Sequence, residues 1–282
     1  MRTFSFIDET RGAMRDARAE GKTIGFVPTM GALHEGHLSL VREAKREADY
    51  TAVSIFVNPA QFGEGEDLDR YPRTIEKDSG LLVSEGVDLL FLPAEKLMYP
   101  EGNDTRVVPG EVASHLEGAK RPDHFQGICT IVLKLFNIIE PDIAFFGQKD
   151  AQQFAVLSKM TKDLDIPVDM RECPIVREDD GLALSSRNRY LSEKERVAAP
   201  VFFNSLMEAE KVVIAGERNS KTIKSLMIDI ISRERGAKLD YVEIVDANDF
   251  SIIENLQSEV YILVAGYIGD TRLIDNVRIR IN

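Results

Sequence analysis

The sequence predicts an α/β fold: a doubly wound parallel sheet over residues 1–176, followed by a smaller α+β domain over residues 177–282. Three observations carry this. Five short apolar segments, several rich in β-branched residues, alternate with stretches whose apolar residues recur at helical spacing. Strands without polar alternation are those covered on both faces. After residue 176 the order changes to helices followed by hairpin-like strands. The length of 282 residues exceeds one typical domain of about 150.

IGFVPT (24–29) reads as the first strand and HLSLVREAKREA (37–48) as an amphipathic helix. TAVSIFVN (51–58) reads as a buried strand, and a polar helix follows Tyr71-Pro72 through about Ser84. VDLLFLP (87–93) is a third strand, IVLKLFNII (131–139) a helix, IAFFG (143–147) a fourth strand, AQQFAVLSKMTKDL (151–164) a helix and VDMRECPIV (168–176) a fifth strand. A polar, turn-rich loop covers 177–191. Ser192 and Glu195 have the spacing of a capping box, which opens one long helix through about Ala215. A further helix covers 219–235. KLDYVEIVDA (238–247) and the segment 260–279, folded at Gly269-Asp270, read as strands. The loop 177–191 then lies at the domain junction, where ligand sites are common.

Composition excludes several classes. A hydrophobic fraction of 44% is that of a globular chain. No apolar run reaches the roughly 20 residues of a membrane span. The first twenty residues lack the apolar core of a signal peptide, so a cytoplasmic location is expected. The net charge of -12 disfavours nucleic acid and anionic membranes as partners. It does not disfavour a phosphate ligand, which needs only local donors and a helix N-terminus. Cys129 and Cys173 sit in apolar segments without CxxC spacing and read as small buried hydrophobes.

The turn after the first strand, PTMGALHEGHLSL from Pro28, lies where parallel sheets bind ligands, at the carboxyl end of a strand beside a helix N-terminus. It holds Gly31, Gly36 and two of the four histidines, His34 and His37. Three-residue spacing puts both imidazoles on one face of a first helical turn, where they can donate to a polyphosphate. An ordinary connection with two solvated histidines is one alternative. The GxGxxG of a dinucleotide site is absent. The glycines have P-loop spacing, but His37 and Leu38 stand where that loop needs Lys and a hydroxyl. What remains is His-x-Gly-His, the signature of nucleotidylyltransferases and class I aminoacyl-tRNA synthetases. A second phosphate loop is then expected late in the chain. Leu184-Ser185-Ser186-Arg187 supplies two hydroxyls and a guanidinium for it.

Six blocks in order, PTMGALHEGH (28–37), SIFVNPAQF (54–62), YPRT (71–74), RPDHFQG (121–127), FFGQKDAQQ (145–153) and DGLALSSRNRYLS (180–192), resemble the pantothenate synthetase family. The similarity runs from about residue 3 to the C-terminus and is weakest after 200. Gln148 stands where many members carry Glu.

The resemblance implies a Rossmann-like N-terminal domain, a smaller C-terminal lid domain and a homodimer. It implies an ATP-dependent ligase of coenzyme A biosynthesis, condensing pantoate with β-alanine through a pantoyl adenylate and releasing AMP and pyrophosphate. His34, His37, Lys149 and Arg187 would be catalytic. Met30, Gly31, Gly36, Gly147, Gln148, Asp150, Val176, Leu184, Ser185 and Ser186 would complete the ATP site. Gln61 and Gln153 would bind pantoate, with Met30 and Phe62 as an apolar wall for its methyl groups. Arg121 and His124 would touch the acyl substrate or β-alanine. Magnesium would arrive with ATP, because no acidic or histidine cluster has the spacing of a metal cage. Glu64 to Asp67 reads as a solvated loop. Two rivals stay open: a nucleotidylyltransferase that stops after transferring AMP, and a nucleotide-sensing module without chemistry.

Overall fold

The computed structural model describes residues 1–281. The chain forms β1 (Arg2–Phe4), α1 (Ile7–Ala19), β2 (Ile24–Thr29), α2 (Glu35–Glu47), β3 (Tyr50–Ile55), α3 (Ile75–Ser84), β4 (Leu89–Phe91), α4 (Glu95–Met98), α5 (Glu117–Lys120), α6 (His124–Ile139), β5 (Ile143–Gly147), α7 (Ala151–Asp163) and β6 (Asp169–Cys173). There follow α8 (Glu193–Ala198), α9 (Val201–Ile214), α10 (Ser220–Ser232), β7 (Ala237–Asp246), β8 (Glu259–Ile268) and β9 (Thr271–Arg280). Two compact units result: Met1–Gly147 with Gln153–Pro174, and Gln148–Gln152 with Ile175–Asn282.

The first unit is a six-stranded sheet in the order β1-β4-β3-β2-β5-β6, parallel throughout. Its four inner strands, β2 to β5, bury both faces, and the two-residue period sorts their side chains. Phe26, Ala52, Leu89, Phe91, Ala144 and Phe146 join one core with residues of α1, α6 and α7. Their neighbours Val27, Val53, Leu90 and Phe145 join the other, against α2 and α3. Strand order reverses between β2 and β5, so their carboxyl ends flank the switch point where such sheets bind ligands.

The second unit packs α9 and α10 against an antiparallel sheet, β7-β8-β9, with Phe202, Leu206, Met227, Ile244 and Ile262 in its core. This is the α+β arrangement the helix-then-hairpin order predicts.

Several elements differ from the sequence expectation. β1 and α1 were not anticipated: three edge residues and a largely polar helix carry little apolar signal. β3 stops at Ile55, where its ladder partners β2 and β4 run out, and Pro59 then opens a 3-10 turn, Pro59–Gln61. α6 begins at His124, two turns earlier than the apolar run suggests. The expected long helix from Ser192 is two, α8 and α9, broken before Pro200, whose ring and missing N–H interrupt helical bonding. The capping box itself is present: Ser192 and Glu195 exchange bonds. Both cysteines are buried, and burial pushes each thiol up to about 12. No described helix is long and apolar enough to cross a membrane.

Candidate active site

In the first unit, the turn between β2 and α2 carries both histidines. Gly31 and Ala32 have left-handed φ values of 84° and 52°. That is a costly backbone for alanine. The turn is held from outside. Asp78, 1% exposed in α3, accepts from the Ala32 amide at 2.8 Å and the Leu33 amide at 2.9 Å, and from the Thr74 hydroxyl at 3.1 Å. A Cβ on Gly31 would lie 3.0 Å from Ile55 and 3.2 Å from the Asp78 carboxylate, so the turn has little room there.

His34 is the N-cap of α2 in extended conformation, not a member of its first turn as expected. His37 is the third helical residue, and its Nδ1 accepts from the His34 amide at 3.4 Å. The rings still come together, with centroids 4.1 Å apart. Both therefore stand at the positive end of a helix dipole, where developing negative charge is favoured.

Beyond β3, Gln61 closes the 3-10 turn beside Met30: its amide nitrogen lies 3.1 Å from the Met30 sulfur. Gly127 of α6 makes this possible, since a Cβ there would sit 2.1 Å from the Ala60 carbonyl oxygen. Asn58, 1% exposed, donates to Gln61 Oε1 at 3.0 Å and to the Gly127 carbonyl at 3.2 Å, and accepts from the Tyr99 hydroxyl at 2.7 Å. Phe62 packs edge-on against Tyr71. Gln153 lies half-buried in α7 of the same unit.

Arg121 and His124, expected at the acyl substrate or β-alanine, also bond within the fold. Arg121 donates to both Glu66 oxygens, at 2.7 and 2.6 Å, so Glu66 is not merely solvated. Burial alone would raise the Glu66 carboxyl, but the Arg121 bonds outweigh it and hold it below its ordinary value. Arg121 also faces His124 Nε2 at 2.8 Å. A guanidinium only donates, so Nε2 accepts, and Nδ1 carries the proton to the Gln61 carbonyl at 2.8 Å. Burial, then the Arg121 charge, lower His124 to about 4. It is a neutral strut beneath Gln61.

In the second unit, Gln148–Asp150 form a 3-10 turn pinned by Asn276 of β9. The Asn276 amide donates to the Gln148 and Lys149 carbonyls at 2.9 and 3.1 Å and accepts from the Gln148 side chain at 3.1 Å. Lys149 Nζ is 3.9 Å from Asp150, whose side chain is 49% exposed. A pair that long and exposed contributes little.

Val176 and Leu184 are joined by a backbone bond of 3.0 Å, which closes the turn between them. Arg177 anchors that turn through Asp275 at 2.6 and 2.9 Å and the Gly181 carbonyl at 2.9 Å. Ser185 caps a 3-10 turn, Ser186–Tyr190, by accepting from the Arg187 amide at 3.3 Å. Asn58, Asp78, Tyr99 and Asn276 were missed by sequence reasoning. Asn58 alone had a signal, lying inside the SIFVNPAQF block.

A family model described as pantoate-beta-alanine ligase matches residues 2–278. A pantothenate synthetase of Thermotoga petrophila is 52% identical over 98% of this chain and 99% of its own length. The crystal structure of pantothenate synthetase from Thermus thermophilus superposes with a TM-score of 0.93 at 44% identity, covering 98% of this chain and 99% of that one. The pantoate-beta-alanine ligase of Francisella tularensis, complexed with beta-gamma ATP and beta-alanine, gives 0.79 at 36% identity over 98% and 97%.

Proposed function

The chain belongs to the pantoate-beta-alanine ligase family, and on that premise we propose that it joins pantoate to β-alanine at the expense of ATP, through a pantoyl adenylate. A carboxylate oxygen of pantoate attacks the α-phosphorus, and the bond to the β-phosphate oxygen breaks to release pyrophosphate. The amine of β-alanine then attacks the acyl carbon. AMP leaves with the former carboxylate oxygen, and the amine loses a proton.

The observation that supports this most is the pair of imidazoles 4.1 Å apart at the N-terminus of α2, at the switch point of the sheet. Donors placed there favour pyrophosphate as leaving group, because they act on charge that develops as the α–β bond breaks. A P-loop lysine and hydroxyl would favour transfer of the outer phosphoryl instead.

His34, His37, Lys149 and Arg187 are assigned to that charge, with Gly31, Gly36, Gly147, Gln148, Asp150, Val176, Leu184, Ser185 and Ser186 to the rest of the nucleotide. Gln61, Gln153 and Met30 are assigned to pantoate. Magnesium enters on the triphosphate. Among the described residues no three His, Cys, Asp or Glu gather to hold a metal themselves. A homodimer in the cytoplasm follows from the family resemblance, and light scattering on the purified chain tests the dimer.

Pantoate labelled with oxygen-18 in its carboxylate, turned over with ATP and β-alanine, should yield AMP carrying one heavy oxygen. Unlabelled AMP would mean attack by another group, and ADP would overturn the reading. Without β-alanine, an adenylate-forming ligase should release about one pyrophosphate per site and stall, whereas an enzyme that only transfers AMP would continue.

A further inference from the structure

The chain of bonds Tyr99–Asn58–Gln61 has a direction, and that direction sets what Gln61 can offer a ligand. It starts from the Gly127 carbonyl, a backbone group that can only accept. The Asn58 side-chain atom 3.2 Å from it must therefore be the amide nitrogen. The Asn58 carbonyl oxygen then faces the Tyr99 hydroxyl at 2.7 Å, which must donate. Tyr99 can do so throughout the working pH range, because burial pushes its phenol up to about 12. The second proton of the Asn58 amide points to Gln61 at 3.0 Å, where only an acceptor fits, so that atom is Oε1. Gln61 Nε2 is left on the Met30 side, 3.1 Å from a sulfur that accepts only weakly.

We infer that Tyr99 is a positioning residue which, through Asn58, holds Gln61 as a one-way hydrogen-bond donor toward the acid substrate. This rests on the assignment of Gln61 to pantoate. A free glutamine offers a donor and an acceptor alike. This one has its oxygen turned to Asn58, which takes one of its two lone pairs, and its amide nitrogen turned to the Met30 side, so on that side it selects ligand oxygens that bring lone pairs: a carboxylate, or a hydroxyl whose own proton is directed elsewhere. A substrate presenting an N–H or ammonium at that position meets a donor and is rejected, as sites built around specific hydrogen bonds reject partners lacking the matching group. The chain meets the histidine turn only through the weak Gln61–Met30 contact at 3.1 Å, so its effect falls chiefly on the acid.

Two variants test the direction and the relay separately. Gln61→Glu keeps the oxygen that Asn58 bonds and replaces the donor by a second acceptor. The KM for pantoate should rise at least 50-fold while ATP binding, read alone by calorimetry, stays within about twofold. If Gln61 instead presented its carbonyl to a substrate hydroxyl, Gln61→Glu would leave that KM within about threefold, and the inference fails. Tyr99→Phe removes one hydroxyl and leaves the ring in place. The KM for pantoate should rise about tenfold, with kcat and ATP binding within about twofold, and the side-chain amide resonances of Gln61 should shift in nitrogen-15 spectra. An unchanged KM with unshifted resonances overturns the role of Tyr99. Loss of ATP binding together with pantoate binding would mean that Tyr99 merely supports the fold, and the relay falls. None of these outcomes bears on whether the wild-type chain transfers labelled oxygen to AMP, so failure here and failure of the proposed reaction are distinguishable.

Discussion

The turn that carries His34 and His37 takes its shape from a carboxylate 46 positions along the chain, whereas the loop that carries Ser185 to Arg187 closes largely on itself. In the first, left-handed Gly31 and Ala32 turn the Ala32 and Leu33 amides inward, and buried Asp78 accepts both. In the second, Glu178 pairs with Leu182, Gly181 with Glu178 and Leu184 with Val176, with Asn188 bonding the Ala183 carbonyl at 3.0 Å. Arg177 with Asp275 at its base, and Asp180 with Arg196 of α8, are ion pairs that reach beyond it. The Gly31 amide finds the Thr29 hydroxyl at 3.2 Å, but the Ala32 and Leu33 amides reach a distant acceptor. A hairpin supplies its own. The first arrangement gives a fixed platform for charge, and the second a segment whose geometry is largely local.

The widest separation between the two regions should come from removing Asp78. Asp78→Ala removes the carboxylate that accepts from two buried amides, each lost bond costing about 1–3 kcal/mol, so urea unfolding should report a loss of about 4 kcal/mol. Pyrophosphate release should fall with it. The matching change in the loop, Asn188→Ala, removes one local bond and should cost about 1 kcal/mol. Similar losses from both would erase the distinction.

His37→Ala separates platform from chemistry. Removing a donor to developing charge costs roughly 10²–10³ in rate, so adenylate formation should drop by that factor while the thermal midpoint moves little. A rate within about threefold of wild type would return the turn to a structural role.

A third test concerns the strut beneath Gln61. His124 titrates at about 4 in the fold, against an ordinary value of 6.5. Above 6.5 it is neutral folded and unfolded. Between 6.5 and 4 the unfolded chain takes up a proton that the fold refuses, so stability falls as pH is lowered. The slope is about 1.4 kcal/mol per pH unit, reaching about 3 kcal/mol in all. His124→Gln should flatten that part of the profile between pH 7 and 5, and an unchanged profile would mean that other groups carry it.

The smallest effect should lie in the second unit. Ser192→Ala removes the N-cap of α8 and should cost about 1 kcal/mol, with turnover unchanged.

Much of this was legible because it is local. Apolar runs such as IGFVPT and IAFFG announced β2 and β5, and the capping box announced the start of α8. The order of the blocks brought Met30 and Gln61 into the reading, and the structure sets them 3.1 Å apart. What escaped was short, polar or distant. β1 is three residues long. Pro200 breaks a helix that its neighbours favour. Gly127 interrupts the apolar run of α6 because the turn at Ala60 lies against it.

By itself, then, the sequence determined the alternation of strands and helices and the switch to helices and hairpins after residue 176. Both are set by neighbours along the chain. Only the tertiary structure decided what holds the side chains of the candidate site. Asp78 clamps the histidine turn, Tyr99 and Asn58 orient Gln61, His124 stands neutral beneath it, and Asn276 pins Gln148 and Lys149. The physical reason is that a buried polar group must find a partner wherever the fold brings one. For these residues the partner comes from a different element, at a sequence separation that no local pattern records.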